Sequence, residues 1–240
     1  MNTSESDPAL RRRRWLVFLP ALVIPLTACF FYFVLFPGTA FGNGFYKGVK
    51  VFLLVWPLLA TFVILRVKMI DRSSEKRHLA GMLPAVGFGL LVVGLLFFLI
   101  GATPLGLVLD ENRDRIAGRI RDLGVAEHFL WFALFISFFH AALEEFYWRW
   151  FVFGQAQKVM KLPLAYVVAS AGFAAHHIVV LSQFFPIGWA LILGACVGIG
   201  GAFWCWLSYR YNSLFGAWVS HMIIDLGLMW VGWQVLQSVT

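Results

Sequence analysis

Seven stretches of the chain are apolar for long enough to cross a hydrocarbon layer, which takes about 20 residues of a helix rising 1.5 Å per residue. The first, residues 15–36, is an uncharged run that begins directly after Arg11 to Arg14. It exceeds the roughly 7–15 residues of a signal-peptide core, and no small-residue cleavage pattern follows it, so it reads as a span. A second span is predicted over 51–67 and ends in the charged loop 66–78. Residues 79–109 are also uncharged, over more positions than one span needs, and Pro84 and Pro104 mark expected breaks near the ends. Four more spans are predicted at 128–153, 162–185, 187–207 and 214–236. Residues 110–127 mix charges with Ile116, Ile120 and Leu123 at i, i+4, i+7, the pattern of a helix lying at a membrane interface. The fold class is therefore all-α, a polytopic transmembrane helical bundle of about seven spans. Three sections divide it: a basic tail at 1–14, N-terminal spans with the interfacial segment at 15–127, and a transmembrane core at 128–240.

Composition sharpens this picture. Hydrophobic residues make up 61% of the 240 positions and charged residues 13%, against about 45–50% and about 25% in soluble domains. Little of the chain is left over for a second, soluble domain. A net charge of +7 could suggest nucleic acid, but the basic residues flank apolar runs, as they do when they set membrane orientation. No nucleic-acid partner is expected; the bilayer is. With the N-terminus in the cytoplasm, twelve basic residues fall inside and six outside, the outer six including Arg113, Arg115, Arg119 and Arg121. Cys29, Cys196 and Cys205 lie in apolar runs without metal-ligand spacing and read as packing residues. Gly194, Gly198, Gly200 and Gly201 offer a small surface for close helix approach in lipid.

Ionisable groups inside hydrocarbon cost about 2.5–3.5 kcal/mol each on insertion scales, so each one demands a reason. Eight fall within the predicted spans: His140, Glu144, Glu145, Arg149, His176, His177, His221 and Asp225. They occupy three spans, and the first three spans are expected to hold none at depth. Glu145 and Arg149 stand at i, i+4 with the acid first, the favourable order for an ion pair with a structural role. Glu144 points about 100° away on the helix and is left for chemistry, with His140 one turn earlier on its face. His221 and Asp225 form a second i, i+4 pair, and a carboxyl partner is what fixes a histidine tautomer. Counting from a turn near Met160, Glu144 and His177 should reach the same depth, so one shared intramembrane pocket is expected.

The motifs then carry a resemblance. Glu144-Glu145-Phe-Tyr-Trp-Arg149 resembles the EExxxR motif of the CPBP family of intramembrane proteases, the CAAX-protease and bacteriocin-processing (Abi) group that includes type II CAAX prenyl endopeptidases. Phe173-Ala-Ala-His-His177 resembles its FxxxH motif, with Ser170 where the family often has serine, and His221-Met-Ile-Ile-Asp225 resembles HxxxN or HxxxD. The resemblance covers about residues 131–230 and makes 128–240 the catalytic core. Two departures stand out: Trp150 follows the motif arginine where the family usually has glycine, leaving a helix bend there open, and His176 is an extra neighbour.

The resemblance implies an endopeptidase acting on a membrane-anchored or lipidated protein or peptide, with Glu144 as general base, His177 orienting the attacking water and His221 donating to the oxyanion. Asp225 would hold His221 as an imidazolium, with Glu145, Arg149, His176 and His140 in support. No cofactor is expected, because the HExxH spacing of common zinc proteases is missing; the zinc alternative would use Glu144, His177 and His221 as ligands. Two other function classes compete. A proton-coupled transporter would also hold acids and histidines at mid-membrane but should show repeat symmetry, and a non-catalytic membrane partner could keep the scaffold.

Overall fold

The computed structural model describes residues 8–67 and 75–239; the beginning of the expected tail and most of the loop at 66–78 lie outside the described residues. Among those described there is no strand, as lipid requires: a backbone with no water to bond must pair its own N–H and C=O groups within each segment. Among the described residues, seven helices are long and apolar enough to cross a membrane: α1 (Pro8–Leu35), α2 (Ala40–Ile64), α3 (Arg77–Ala102), α6 (Ala126–Val159), α7 (Leu162–Leu181), α8 (Ile187–Tyr211) and α9 (Phe215–Gln237). Between α3 and α6 run two short helices, α4 (Pro104–Glu111) and α5 (Arg113–Asp122).

Helix ends follow local chemistry more closely than the charge pattern did. α1 starts at Pro8, so Arg11 to Arg14 are already helical. α2 begins at Ala40, eleven residues before the expected start, because the Thr39 side chain accepts the Gly42 amide at 3.0 Å and caps the first turn. Lys47 and Lys50 had hidden this start, and both lie within α2. Near Pro84 the helix is interrupted at Gly81 and restarts at Met82, which puts the proline in a first turn where its missing N–H is not needed. Pro104 also marks a break: Thr103 is extended and caps α4, with Pro104 at its first position.

α6 is the hub, touching α1, α2, α7, α8 and α9. Tyr147, Trp148, Phe151, Val152 and Phe153 from its second half fill the main core together with Val17, Phe18, Ala169, Phe173 and Trp204. α7 pairs with α8, and α9 with α3. Gly194, Gly198 and Gly201 are the small face that α8 turns to α7: side-chain carbons there would meet Ile178, Ala174 and Phe173. Gly200 meets Trp204 of its own helix instead. Cys29 and Cys205 are buried, whereas Cys196 is exposed and does not pack inside the bundle.

α5 buries Ile116, Ala117 and Ile120 against Phe129, Val235 and Leu236. Leu123 is exposed, because the helix ends at Asp122 and the chain turns at Gly124 with a positive φ.

Candidate active site

α6 supplies His140, Glu144, Glu145 and Arg149. Its backbone alternates between α-helical turns and wider π-helical ones, at Ile136–His140 and again at Glu145–Phe153, a device that is frequent at functional sites. Trp150 lies inside the second π stretch and the helix runs on through it, so glycine is not needed there for the chain to continue. α7 contributes His176 and His177, and α9 contributes His221 and Asp225.

The two adjacent glutamates are both buried, 6% exposed for Glu144 and 1% for Glu145, yet they face different partners. Glu144 is ringed by imidazoles: Oε1 is 3.4 Å from His140 Nε2 and 3.5 Å from His176 Nε2, and Oε2 is 3.8 Å from His221 Nε2. Glu145 Oε1 lies 3.1 Å from Arg149 Nη1 and 2.8 Å from His221 Nδ1. A carboxylate oxygen only accepts, so Nδ1 of His221 carries its proton and donates to Glu145. The i, i+4 spacing suggested Asp225 as the hydrogen-bond partner of His221. Asp225 Oδ2 instead stands 3.7 Å from Nε2, beyond hydrogen-bond length, because Glu145 reaches across from α6 to the other ring nitrogen.

Arg149 is fixed by aromatic faces as well as by charge. Its guanidinium lies 4.2 Å from the Phe173 ring centroid and 4.8 Å from that of Trp204, and Trp204 also stacks on His221 at 4.2 Å. Trp148 lies parallel to His176 with centroids 5.3 Å apart. Sequence reasoning missed Trp204 and Trp148 as walls of the site, because an aromatic in an apolar span carries no periodic signal to separate it from ordinary packing. It also missed Lys50 of α2 as an ionisable group within a span.

His177 Nδ1 donates to the Phe173 carbonyl at 2.8 Å, leaving Nε2 as a lone pair. The ring sits 4.1 Å from that of His176. Glu144, His176 and His177 could hold a metal ion, each offering one ligand atom within 4.8 Å of the others. That set differs by one residue from Glu144, His177 and His221. His221 has one ring nitrogen committed to Glu145, whereas the unexpected neighbour His176 turns its Nε2 to Glu144.

Residues 126–227 match the family model described as type II CAAX prenyl endopeptidase Rce1-like. The match takes in all eight ionisable residues above and bears out the resemblance carried by the three motifs. No curated protein and no solved structure matches the chain. Seven spanning-length helices among the described residues describe an integral, multi-pass membrane protein, and the segment similar to CAAX proteases begins with the fourth of them.

Proposed function

We propose, from the CAAX-protease match over 126–227 as premise, that the protein is a glutamate-dependent intramembrane endopeptidase cutting near the membrane-associated C-terminus of a protein or peptide precursor. The observation that carries this reading is the unequal use of two adjacent buried acids. Glu145 is consumed by Arg149 and His221, while Glu144 has only imidazoles within ion-pair distance among the described residues. An acid so placed can take a proton from water and return it to the leaving amine. His177 offers its free Nε2 as an acceptor for that water's second proton. His221, held at Nδ1 by Glu145, would present a protonated Nε2 to the oxyanion, a kind of donor worth about 10²–10³ in rate. Asp225, on the far side of that Nε2, favours the doubly protonated ring. Prenylated CAAX proteins, bacteriocin-type precursors and proteins with a C-terminal sorting tail are the candidate substrates.

A second reading is favoured by one grouping: Glu144, His176 and His177 could hold zinc, which when bound would supply a Lewis acid and a more acidic water. The test compares wild type with Glu144→Gln, purified and reconstituted in vesicles, with cleavage read as new C-termini by mass spectrometry. The variant should insert normally and lose activity by at least about a thousandfold, the scale of removing a central catalytic group. Full activity in the folded variant overturns the assignment. Wild-type activity should survive chelation, with well under one zinc per chain; loss on chelation that zinc alone restores moves the reading to the metal-assisted route.

A further inference from the structure

Three helix ends meet on the face that carries the N-terminus: the start of α1, the end of α2 and the end of α6. Arg14 stands one residue before the uncharged run of α1, Val67 three past the end of α2, and Lys158 one before the end of α6. Between them lies a cavity of about 190 Å³ whose lining includes Arg14, Thr61, Val67, Trp150, Gln155 and Lys158. It shares no residue with the cluster around Glu144, and α1 and α2 lie outside the family match. At roughly 30 Å³ per water it holds about six waters, or one group of similar bulk. A whole drug-sized ligand needs about 300–1,000 Å³.

The lining has the chemistry of an anion site. It carries two cations, Arg14 and Lys158, and among the described residues no acid. Arg14 Nη1 donates to Gln155 Oε1 at 2.9 Å. A neutral amide oxygen orients a guanidinium without cancelling its charge, and the bond leaves the amide N–H groups of Gln155 as donors. Thr61 is 6% exposed, and its hydroxyl has no hydrogen-bond partner among the described residues, where buried hydroxyls ordinarily have one. Left-handed Arg66 folds the chain back over this residue, so that the Val67 amide donates to the Thr61 carbonyl at 3.0 Å. A cation near the end of α6 is explained by the helix dipole alone, but Arg14 lies near the start of α1, where the dipole favours an anion.

The level of the cavity names the source of that anion. It sits where the charged ends of three spans give way to apolar runs, which is the level of phospholipid headgroups, and basic pockets between spans bind such headgroups. Trp150, stacked on Phe146 at 5.0 Å, supplies an aromatic wall that a glycine in its place would leave open.

We propose that this cavity binds the phosphate group of an anionic phospholipid, held by Arg14, Lys158, Gln155 and Thr61. Trp150 belongs to the same π-helical stretch as Glu145 and Arg149, so the headgroup ties α1 and α2 to the segment that carries that ion pair. The inference stands whether or not the protein cuts peptides.

The test follows the full chain in neutral detergent by native mass spectrometry and thermal unfolding as phosphatidylglycerol, phosphatidylcholine or inorganic phosphate is added. Phosphatidylglycerol should bind saturably and raise the melting temperature with its concentration, as a ligand of the folded state must. Phosphatidylcholine, whose choline cancels the phosphate charge, should do neither over the same range. Arg14→Gln with Lys158→Gln should weaken phosphatidylglycerol binding by about tenfold or more, the scale of two basic side chains at an anionic surface. Arg11→Gln with Arg12→Gln removes as much charge outside the cavity and should leave binding unchanged. Equal losses in the two double variants would mean diffuse attraction and overturn the proposal, and so would equal binding of the two lipids. Inorganic phosphate that binds as tightly as phosphatidylglycerol assigns the cavity to a soluble phosphate and overturns the lipid source. If Arg14→Gln with Lys158→Gln does not fold, Lys158→Gln alone, at an exposed side chain, and Thr61→Val decide: each should weaken binding severalfold, and unchanged binding in both overturns the proposal.

Discussion

Three carboxylates, Glu144, Glu145 and Asp225, face one another across His221 with Arg149 as the one fixed cation in ion-pair contact among the described residues, so the cluster needs protons from its imidazoles to approach neutrality. His221 is the natural place for one of them: Nδ1 donates to Glu145, and a proton on Nε2 has Glu144 and Asp225 on either side of it. Glu145 rather than Asp225 therefore fixes the ring, and the two acids should respond differently to conservative change. Glu145→Gln keeps the shape but removes the charge shared by Arg149 and His221, leaving a buried guanidinium without its counter-ion. Breaking such a pair costs about 3–5 kcal/mol. The expected outcome is a clear drop in thermal stability together with a loss of activity of about 10²-fold or more, the scale of losing an oriented donor. Asp225→Asn should keep the fold and measurable activity, because the ring is still anchored. Melting temperatures and cleavage rates of the two variants check this, and equal damage from both would return the anchoring role to Asp225. The eight ionisable residues of the site were legible as polar groups in apolar runs, and the Glu145–Arg149 pair was legible from spacing, whereas Trp148 and Trp204 were not. The Glu145–His221 bond was not, because helical periodicity orders side chains within one helix and is silent about which neighbour reaches across.

At the scale of the elements, proline accounts for one cross-helix tie. Pro25 sits inside α1, and its ring nitrogen has no proton for the carbonyl four residues earlier, that of Ala21. In lipid an unpaired carbonyl is costly, and the buried Tyr147 hydroxyl satisfies it at 2.7 Å. Tyr147 belongs to the glutamate motif, so α1, outside the family match, braces the turn that positions Glu144 and Glu145. Tyr147→Phe should therefore destabilise by about 1–3 kcal/mol, the penalty for a buried unsatisfied polar group. Pro25→Ala supplies the missing amide, and in that background Tyr147→Phe should cost markedly less. A double-mutant cycle on unfolding in detergent measures the coupling, and additive effects would break the link between proline and tyrosine. The sequence showed the proline and the tyrosine but not their partnership. It also misplaced the start of α2, since a scan for uncharged residues begins at Val51 while the cap at Thr39 and the lysines after it belong to the same helix.

Across the whole molecule, one face gathers the start of α1 and the end of α6, joined by Arg14 to Gln155 at 2.9 Å, and the start of α3 and the loop before α9, joined by His78 and Ser213. The opposite face holds α5 with the ends of α7 and α9. The bundle's alternation was legible from apolar run lengths, but its orientation was clouded by the arginines of α5, which a positive-inside count places outside. Their contacts explain them. Arg115 donates to the carbonyls of Gln183 at 2.9 Å and Ser182 at 2.7 Å just past α7, Arg121 to that of Val239 past α9, and Arg113 pairs with Asp110 at 2.6 Å. Cations at helix C-termini satisfy orphan carbonyls and the negative end of the helix dipole. These arginines are therefore held by local structure and say little about which side faces the cytoplasm. Arg11 to Arg14, Arg66, Arg77, Lys158, Lys161 and Arg210 belong to the first face, which the positive-inside rule would turn to the cytoplasm, whereas Lys47 and Lys50 lie in the first half of α2, toward the other face. With seven spans the two chain ends must lie on opposite sides. An N-terminal tag should thus be reached by a membrane-impermeant reagent only from the cytoplasmic side, and a C-terminal tag only from the other. Arg115→Gln with Arg121→Gln should lower the melting temperature, since hydrogen bonds to charged groups contribute about 1.5–3 kcal/mol each, and should leave both tags where they were. Tags on the same side would remove a span, whereas inversion of the pair by the arginine variants would show that α5 does take part in setting orientation.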